Sequence, residues 1–187
     1  MIAHTLVLVC WTVFLVYWFV SACSTKRTTQ RQSPASDMAH KIPVTLGAIL
    51  LFVPIPFPPL NALVVPPTPV AQIAAVGSCA LGLFGALWAR RTLAGNWSDE
   101  VVLKEEHELV ERGPYRFARH PIYTSLLLMV FGTVIAVGRL ASFLGFLAIV
   151  VGLCVKLKQE EALLLRQFPD EYAAYRARVK ALLPFVW

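Results

Sequence analysis

The sequence predicts an all-α integral membrane protein with five transmembrane helices, a long cytoplasmic loop and a C-terminal interfacial helix. Three observations predict it. The 187 residues are 57 % hydrophobic and only 15 % charged, with mean hydropathy +0.64, where a soluble domain has about 45–50 % and about 25 %. Five apolar stretches approach the roughly 20 residues that a helix needs to cross a hydrocarbon core of about 30 Å. The charges, finally, sort to one side of those stretches. This composition excludes a disordered chain and argues against a soluble globule. The net charge of +6 and pI near 9.4 read as basic residues gathered on the cytoplasmic side, not as a nucleic-acid surface.

The spans fall at residues 2–22, 42–60, 70–89, 121–138 and 140–157. The first could be mistaken for a lipoprotein leader ending at Cys23, but its start lacks the basic residues of a signal peptide and it is as long as a span. The second holds Pro54, Pro56, Pro58 and Pro59, which cannot all sit inside a regular helix. A helix over residues 43–53 followed by extended chain and a proline-rich outer linker through Pro69 is the expectation. The third carries Gly77, Gly82 and Gly85, small residues that permit close helix contact. Gly138-Arg139 leaves room only for a tight turn, so the fourth and fifth spans form an antiparallel hairpin.

This arrangement puts every one of the 17 Lys and Arg residues except Arg139, and all eleven acids, on one side. The positive-inside pattern makes that side the cytoplasm, with the N-terminus outside and the C-terminus inside. Cys10, Cys23, Cys79 and Cys154 lie in or at the end of apolar runs without metal-ligand spacing, so no metal is expected. Lys, Arg, Asp and Glu are missing from the span interiors, which disfavours transport.

Polar material concentrates in residues 90–119, too long a connection to be idle. Ser98-Asp99-Glu100 is suited to cap a short helix running toward His107, and Gly113-Pro114-Tyr115 marks a turn. Pro121 suits the first position of a helix and disfavours helical angles at His120. The fourth span therefore starts there, with its dipole end and free N–H groups turned toward an anion such as a carboxylate. An interfacial anchor is the competing reading. The hairpin returns Glu160 and Glu161 to the level of His120 and Tyr123, where an acidic pair facing a helix start could hold a zwitterion. Lys156/Glu160 and Lys158/Glu161 also have the spacing of a solvated helix end. After Pro169, the residues Tyr172, Tyr175, Val179 and Leu183 share a face ringed by Arg176, Arg178 and Lys180, the pattern of an interfacial amphipathic helix docked on the membrane surface. Packing over a pocket is the alternative. His4 and His40 receive no role.

An ordered set of motifs in the C-terminal half resembles the isoprenylcysteine carboxyl methyltransferase family, with its related bacterial and phospholipid methyltransferases. The set runs through Leu93-Ala94-Gly95-Asn96-Trp97-Ser98 and His107-Glu108-Leu109-Val110-Glu111-Arg112-Gly113-Pro114-Tyr115. It continues with Arg119-His120-Pro121-Ile122-Tyr123, then Glu160-Glu161, Phe168, Tyr172 and Tyr175. The resemblance implies a membrane methyltransferase that binds S-adenosyl-L-methionine from the cytoplasm, so that residues 90–119 become a catalytic loop. It places cofactor contacts on His107, Glu108, Leu109, Val110, Tyr115, His120, Pro121, Ile122, Tyr123 and Glu160, with Glu161 as a second acid. Arg119 and Lys156 would orient the methyl acceptor, a lipophilic molecule entering from the bilayer and carrying an isoprenylcysteine-like carboxylate. Lys156 stands where prenylcysteine enzymes have arginine, a point charge in place of a planar fork; Phe168-Pro169 stands where Phe-Gly is common. The implied division is residues 1–69 as N-terminal spans and 70–187 as the cofactor-binding half, in the cytoplasmic membrane of a bacterium. Partners would be membrane lipid and the acceptor, with no nucleic acid. Phospholipid N-methylation and a non-catalytic membrane scaffold are the alternatives.

Overall fold

A computed structural model describes residues 2–22, 28–31, 34–93, 102–104 and 109–182. Outside the described residues lie Cys23, Lys26, Arg27, the expected cap at Ser98-Asp99-Glu100, His107, Glu108 and Leu183. The elements are α1 (Ile2–Ala22), β1 (Thr28–Arg31), α2 (Pro34–Phe52), α3 (Pro69–Leu93), β2 (Val102–Lys104), α4 (Pro121–Val137), α5 (Leu140–Gln167) and α6 (Pro169–Arg178). β1 and β2 pair antiparallel, Arg31 opposite Val102. The protein is thus essentially all-α. By length and composition α1, α3 and α5 can each cross a membrane, and α4 is apolar but shorter, at 17 residues. Outward-facing Ile2, Phe19, Val70, Ile73 and Phe84 are all exposed, an apolar exterior that belongs in lipid.

The second span differs from expectation. Its helix begins at Pro34, not near residue 43, carries Pro43 inside it and ends at Phe52. Nineteen helical residues rise about 28 Å at about 1.5 Å each, but the first two turns carry Asp37 and Lys41 and sit at the level of Gln159, so the added length lies on the polar side. The segment after it turns through a short 3-10 helix at Pro58–Asn61 and is knitted to the hairpin turn: the Val64 amide donates to the Gly138 carbonyl (2.7 Å) and the Leu140 amide to the Ala62 carbonyl (3.0 Å). The predicted turn itself is there. Gly138 closes α4 with φ +68, a left-handed angle that favours glycine. The fifth span also runs ten residues past residue 157, to Gln167.

Helices associate as two close pairs. A Cβ on Gly82 would stand 2.5 Å from the Ser125 carbonyl oxygen, and one on Gly132 2.5 Å from that of Ala75, so α3 and α4 touch backbone to backbone. Likewise α2 and α5 meet where a Cβ on Gly47 would reach the Gly145 carbonyl oxygen at 2.5 Å. Gly85 also faces Ser125, whereas Gly77 faces open space, so the glycine stripe of α3 makes contact only in its second half. α1 joins through Trp11, whose indole Nε1–H donates to Thr133 Oγ1 of α4 (2.9 Å). The Arg90 guanidinium of α3 is buried and donates to the Ser21 carbonyl at the end of α1 (2.6 Å), satisfying a helix C-terminus that would otherwise be orphaned.

Candidate active site

Pro121 opens α4 at its first position, as its missing N–H and fixed φ favour, and His120 precedes it with φ −123 and ψ 60. The Tyr123 and Thr124 amides both donate to the His120 carbonyl, at 3.0 and 3.1 Å. Of the first-turn N–H groups, Ile122's has no acceptor among the described residues. The helix start therefore presents one backbone donor, a smaller anion site than the sequence implied.

The hairpin does bring the acids back to this level. His120 Nδ1 stands 3.5 Å from Glu160 Oε2, and His120 Nε2 stands 3.3 Å from Glu161 Oε1. The Tyr123 hydroxyl donates to Glu160 Oε1, and the His120 and Tyr123 rings stack with centroids 5.5 Å apart. Lys156, one turn before Glu160 on α5, holds its ammonium 5.8 Å from the Tyr123 ring centroid, within range of a cation–π attraction. Burial alone would push the His120 pKa down, but hydrogen bonds and charge from Glu160 and Glu161 outweigh it and hold the imidazole above its ordinary value.

Glu161 is the hub of a second set of contacts. Arg119 Nε and Nη2 both donate to Glu161 Oε1, at 2.8 and 2.6 Å, with each side chain 8 % exposed. The third Arg119 nitrogen, Nη1, donates to the Val179 carbonyl and, at 3.4 Å, to that of Arg176. Arg176 Nε approaches the other Glu161 oxygen at 3.6 Å. All three guanidinium nitrogens of Arg119 are thus engaged within the protein.

These bonds correct the reading of the C-terminal segment. α6 ends at Arg178, Val179 is extended, and Tyr172 and Tyr175 are 1 % and 2 % exposed. Their shared face packs on the protein, not on a membrane surface. The Tyr175 hydroxyl donates to the Tyr115 carbonyl, and Tyr172 lies against Arg119 and Glu161. Burial pushes both phenols up, so they stay protonated near neutral pH. Beyond α6 the chain runs parallel to residues 118–120: the Arg119 amide donates to the Lys180 carbonyl (2.8 Å), the His120 amide to that of Ala181 (2.9 Å), and Thr124 Oγ1 to that of Leu182 (2.7 Å). The strap fixes the backbone that carries Arg119 and His120.

Beside the ionic cluster sits an apolar one. Tyr115, Ile122 and Ala89 are buried together, with Val110, Leu93, Trp18 and Tyr123 packed against them. Tyr115 rides on a 3-10 turn, Gly113–Arg116, that opens at Gly113 with φ +61. The structure thus gathers Val110, Tyr115, Arg119, His120, Pro121, Ile122, Tyr123, Lys156, Glu160 and Glu161 at one end of the bundle, with Leu109 half-buried at its edge. Sequence reading missed His40. It is 3 % exposed and hydrogen-bonded to Gln159 next to Glu160. Its only sequence signal is its place as the seventh residue of an unrecognised helix. Arg90, one of the charges counted to the cytoplasmic side, is buried.

A donor set of this kind fits a small zwitterion carrying an aromatic group. Carboxylate oxygens suit an ammonium or ribose hydroxyls, a free N–H suits a carboxylate, and the Tyr115 and Tyr123 rings suit a flat or cationic group. The sequence model of the isoprenylcysteine carboxyl methyltransferase (ICMT) family matches residues 75–166, which contain all of these groups except the α6 strap and α2. The chain is 31 % identical over 120 residues to the protein-S-isoprenylcysteine O-methyltransferase of Schizosaccharomyces pombe, covering 63 % of this chain and 51 % of the relative. It is 32 % identical over 84 residues to a probable protein-S-isoprenylcysteine O-methyltransferase of Oryza sativa subsp. indica, covering 44 % of each. Protein-S-isoprenylcysteine O-methyltransferase B of Arabidopsis thaliana matches at 32 % over 84 residues, 44 % of this chain and 43 % of the relative. The chain spans about half the length, or less, of these relatives. All three are eukaryotic, so they lend no support to a bacterial membrane.

Proposed function

We propose that this chain, whose residues 75–166 match the sequence model of the isoprenylcysteine carboxyl methyltransferase family, is a membrane-embedded methyltransferase acting on a lipophilic carboxylate, with S-adenosyl-L-methionine as the methyl donor. The carrying observation is the meeting of His120 with Glu160 at 3.5 Å, from two helices joined by one tight turn. In this reading five helices span the bilayer and the ionic cluster faces the cytoplasm. The Ile122 amide would hold the donor's carboxylate, and His120, whose two ring nitrogens face Glu160 and Glu161, would position those acids. Glu160 would take its ammonium or ribose hydroxyls, and Tyr115, Val110 and Leu109 would line the adenine side. His107 and Glu108, outside the described residues, remain proposed contacts by their place in the family motif.

When bound, the donor supplies a methyl group on a positively charged sulfur, and that charge is lost as the methyl moves to the acceptor oxygen. Lys156 would hold the acceptor carboxylate by charge, beside the Tyr123 ring. Alignment of the two reactants can account for about 7–11 kcal/mol of the barrier, and a carboxylate needs no base. An amine acceptor would need one. Both ring nitrogens of His120 face carboxylates that raise its pKa, and Glu161 is committed to Arg119 and Arg176, which favours the ester product over phospholipid N-methylation. Arg119, expected to orient the acceptor, is better supported as the residue that ties the strap to the site. The test is to incubate membranes containing the protein with methyl-labelled donor and extract the lipids. Label released as methanol by mild base supports a carboxyl ester; base-stable label means N- or S-methylation, and no label in lipid or protein overturns the enzyme reading.

A further inference from the structure

The family match covers α3 to α5 and leaves α2 out, yet α2 lies directly along the stripe of α5 that carries Lys156. A Cβ on Gly152 would stand 2.9 Å from the His40 carbonyl oxygen and 2.6 Å from Val44 Cγ2. Seven residues further along α5, His40 Nδ1 and Gln159 Oε1 are 2.9 Å apart. Lys156 falls between these contacts, on the same helix face as Gly152 and Gln159 by the i, i+4, i+7 spacing.

The hydrogen-bond pattern is determined by elimination. Gln159 Nε2 donates to the Ser36 carbonyl (2.7 Å), which can only accept, and also reaches Ser36 Oγ (3.1 Å). Its amide oxygen must therefore face His40, and the His40 Nδ1 must carry the proton. Asp37 on the same turn of α2 is held by Lys41 at 2.6 Å, stands 3.8 Å from His40 Nε2, and feels the charge of Lys156. The Lys156 ammonium stands over the Tyr123 ring on the α4 side, and the α2–α5 contacts at Gly152 and Gln159 lie one turn to either side of it. Its four-carbon stem is flexible, so the place of α2 decides where the charge stands.

We propose that His40 and Gln159 are a positioning pair for the acceptor side of the site, locking α2 to α5 so that the Lys156 ammonium is held over Tyr123. This rests on the methyltransferase reading for its kinetic consequence, though not for its geometry. Two readouts separate the two. The first is methyl transfer to N-acetyl-S-farnesylcysteine, with S-adenosylhomocysteine binding measured alongside. His40→Ala is expected to lower kcat/KM for the acceptor about tenfold, the scale of a lost buried hydrogen bond that leaves its partner unsatisfied, while the dissociation constant of S-adenosylhomocysteine stays within about twofold. His40→Asn, whose amide nitrogen falls where Nδ1 stood, is expected to recover most of the loss. The second readout is the Lys156 ε-methylene NMR signal, assigned with Lys156→Arg. It should be ring-current shifted in the wild type and in His40→Asn, and return to the position of a solvated lysine in His40→Ala. A wild type that transfers no methyl group would overturn the reading in the preceding subsection, and the NMR signal would still decide the positioning claim. Unchanged kcat/KM and an unmoved Lys156 signal in His40→Ala would overturn the pair, as would equal losses of donor and acceptor affinity or an Asn variant no better than Ala.

Discussion

Replacing Arg119 with methionine keeps an unbranched apolar stem and removes the guanidinium, with its charge and all of its donors. The structure shows what is lost: two charge-assisted bonds to Glu161, at 2.8 and 2.6 Å, and the bonds to the Val179 and Arg176 carbonyls. Taking one partner from a buried ion pair costs about 3–5 kcal/mol, because the other charge is left uncompensated. His120 still faces Glu161 at 3.3 Å. Arg176, at 3.6 Å, is half-exposed and screened. The lower end of the range, about 3 kcal/mol, is therefore expected, roughly a hundredfold in the equilibrium for strap release. Amide hydrogen exchange reads it directly. The His120 amide, which donates to Ala181, and the Val179 amide, which donates to Tyr175, should lose about a hundredfold in protection, while α3 amides away from the site change little. Lysine at position 119 keeps the charge but not the fork, so it should fall between the two. Protection of both amides within about twofold of wild type in the methionine variant would refute the view that Arg119 latches the strap.

Other predictions follow from the same contacts. His120 titrates above its ordinary value in the folded protein, so its contribution to stability is complete below about pH 6.5 and is lost as pH rises through the higher folded value. Thermal melts of wild type and His120→Asn should accordingly converge at alkaline pH and diverge at acidic pH, and parallel curves would contradict this. Gly132→Val must push into the Ala75 carbonyl and the Cys79 amide and should cost at least about 1–3 kcal/mol by overpacking, whereas Gly77→Ala, facing open space, should leave the melting temperature unchanged or slightly raised. Lys156→Ala should raise the acceptor KM or lower kcat with little effect on S-adenosylhomocysteine binding; equal loss of both would remove Lys156 from the acceptor side.

The parts legible in the sequence were those set by local chemistry. Gly138-Arg139 can only be a tight turn, Pro121 can only open a helix, and a hairpin so joined must bring Glu160 back to His120. What was not legible depended on distant partners. Residues 34–41 read as a polar connection, and they are helical in the structure where Ser36 and His40 bond to Gln159, more than a hundred residues away. The face of Tyr172 and Tyr175 has the same spacing whether it meets lipid or protein. Arg119 and the Tyr115 carbonyl decide the matter, and neither is near in sequence. The roles of Arg119 and Glu161 were obscured for the same reason: a basic and an acidic residue beside a pocket look alike whether they await a ligand or pair with each other.

The central claim is that the start of α4 and the acidic end of α5 close on one zwitterionic molecule, and calorimetric titration with S-adenosylhomocysteine tests it most directly. Wild-type protein should bind, and Glu160→Gln, which keeps the side chain's shape and removes its charge, should bind about ten- to a hundredfold more weakly, the worth of a hydrogen bond to a charged group. Equal affinity in the two proteins would contradict the account.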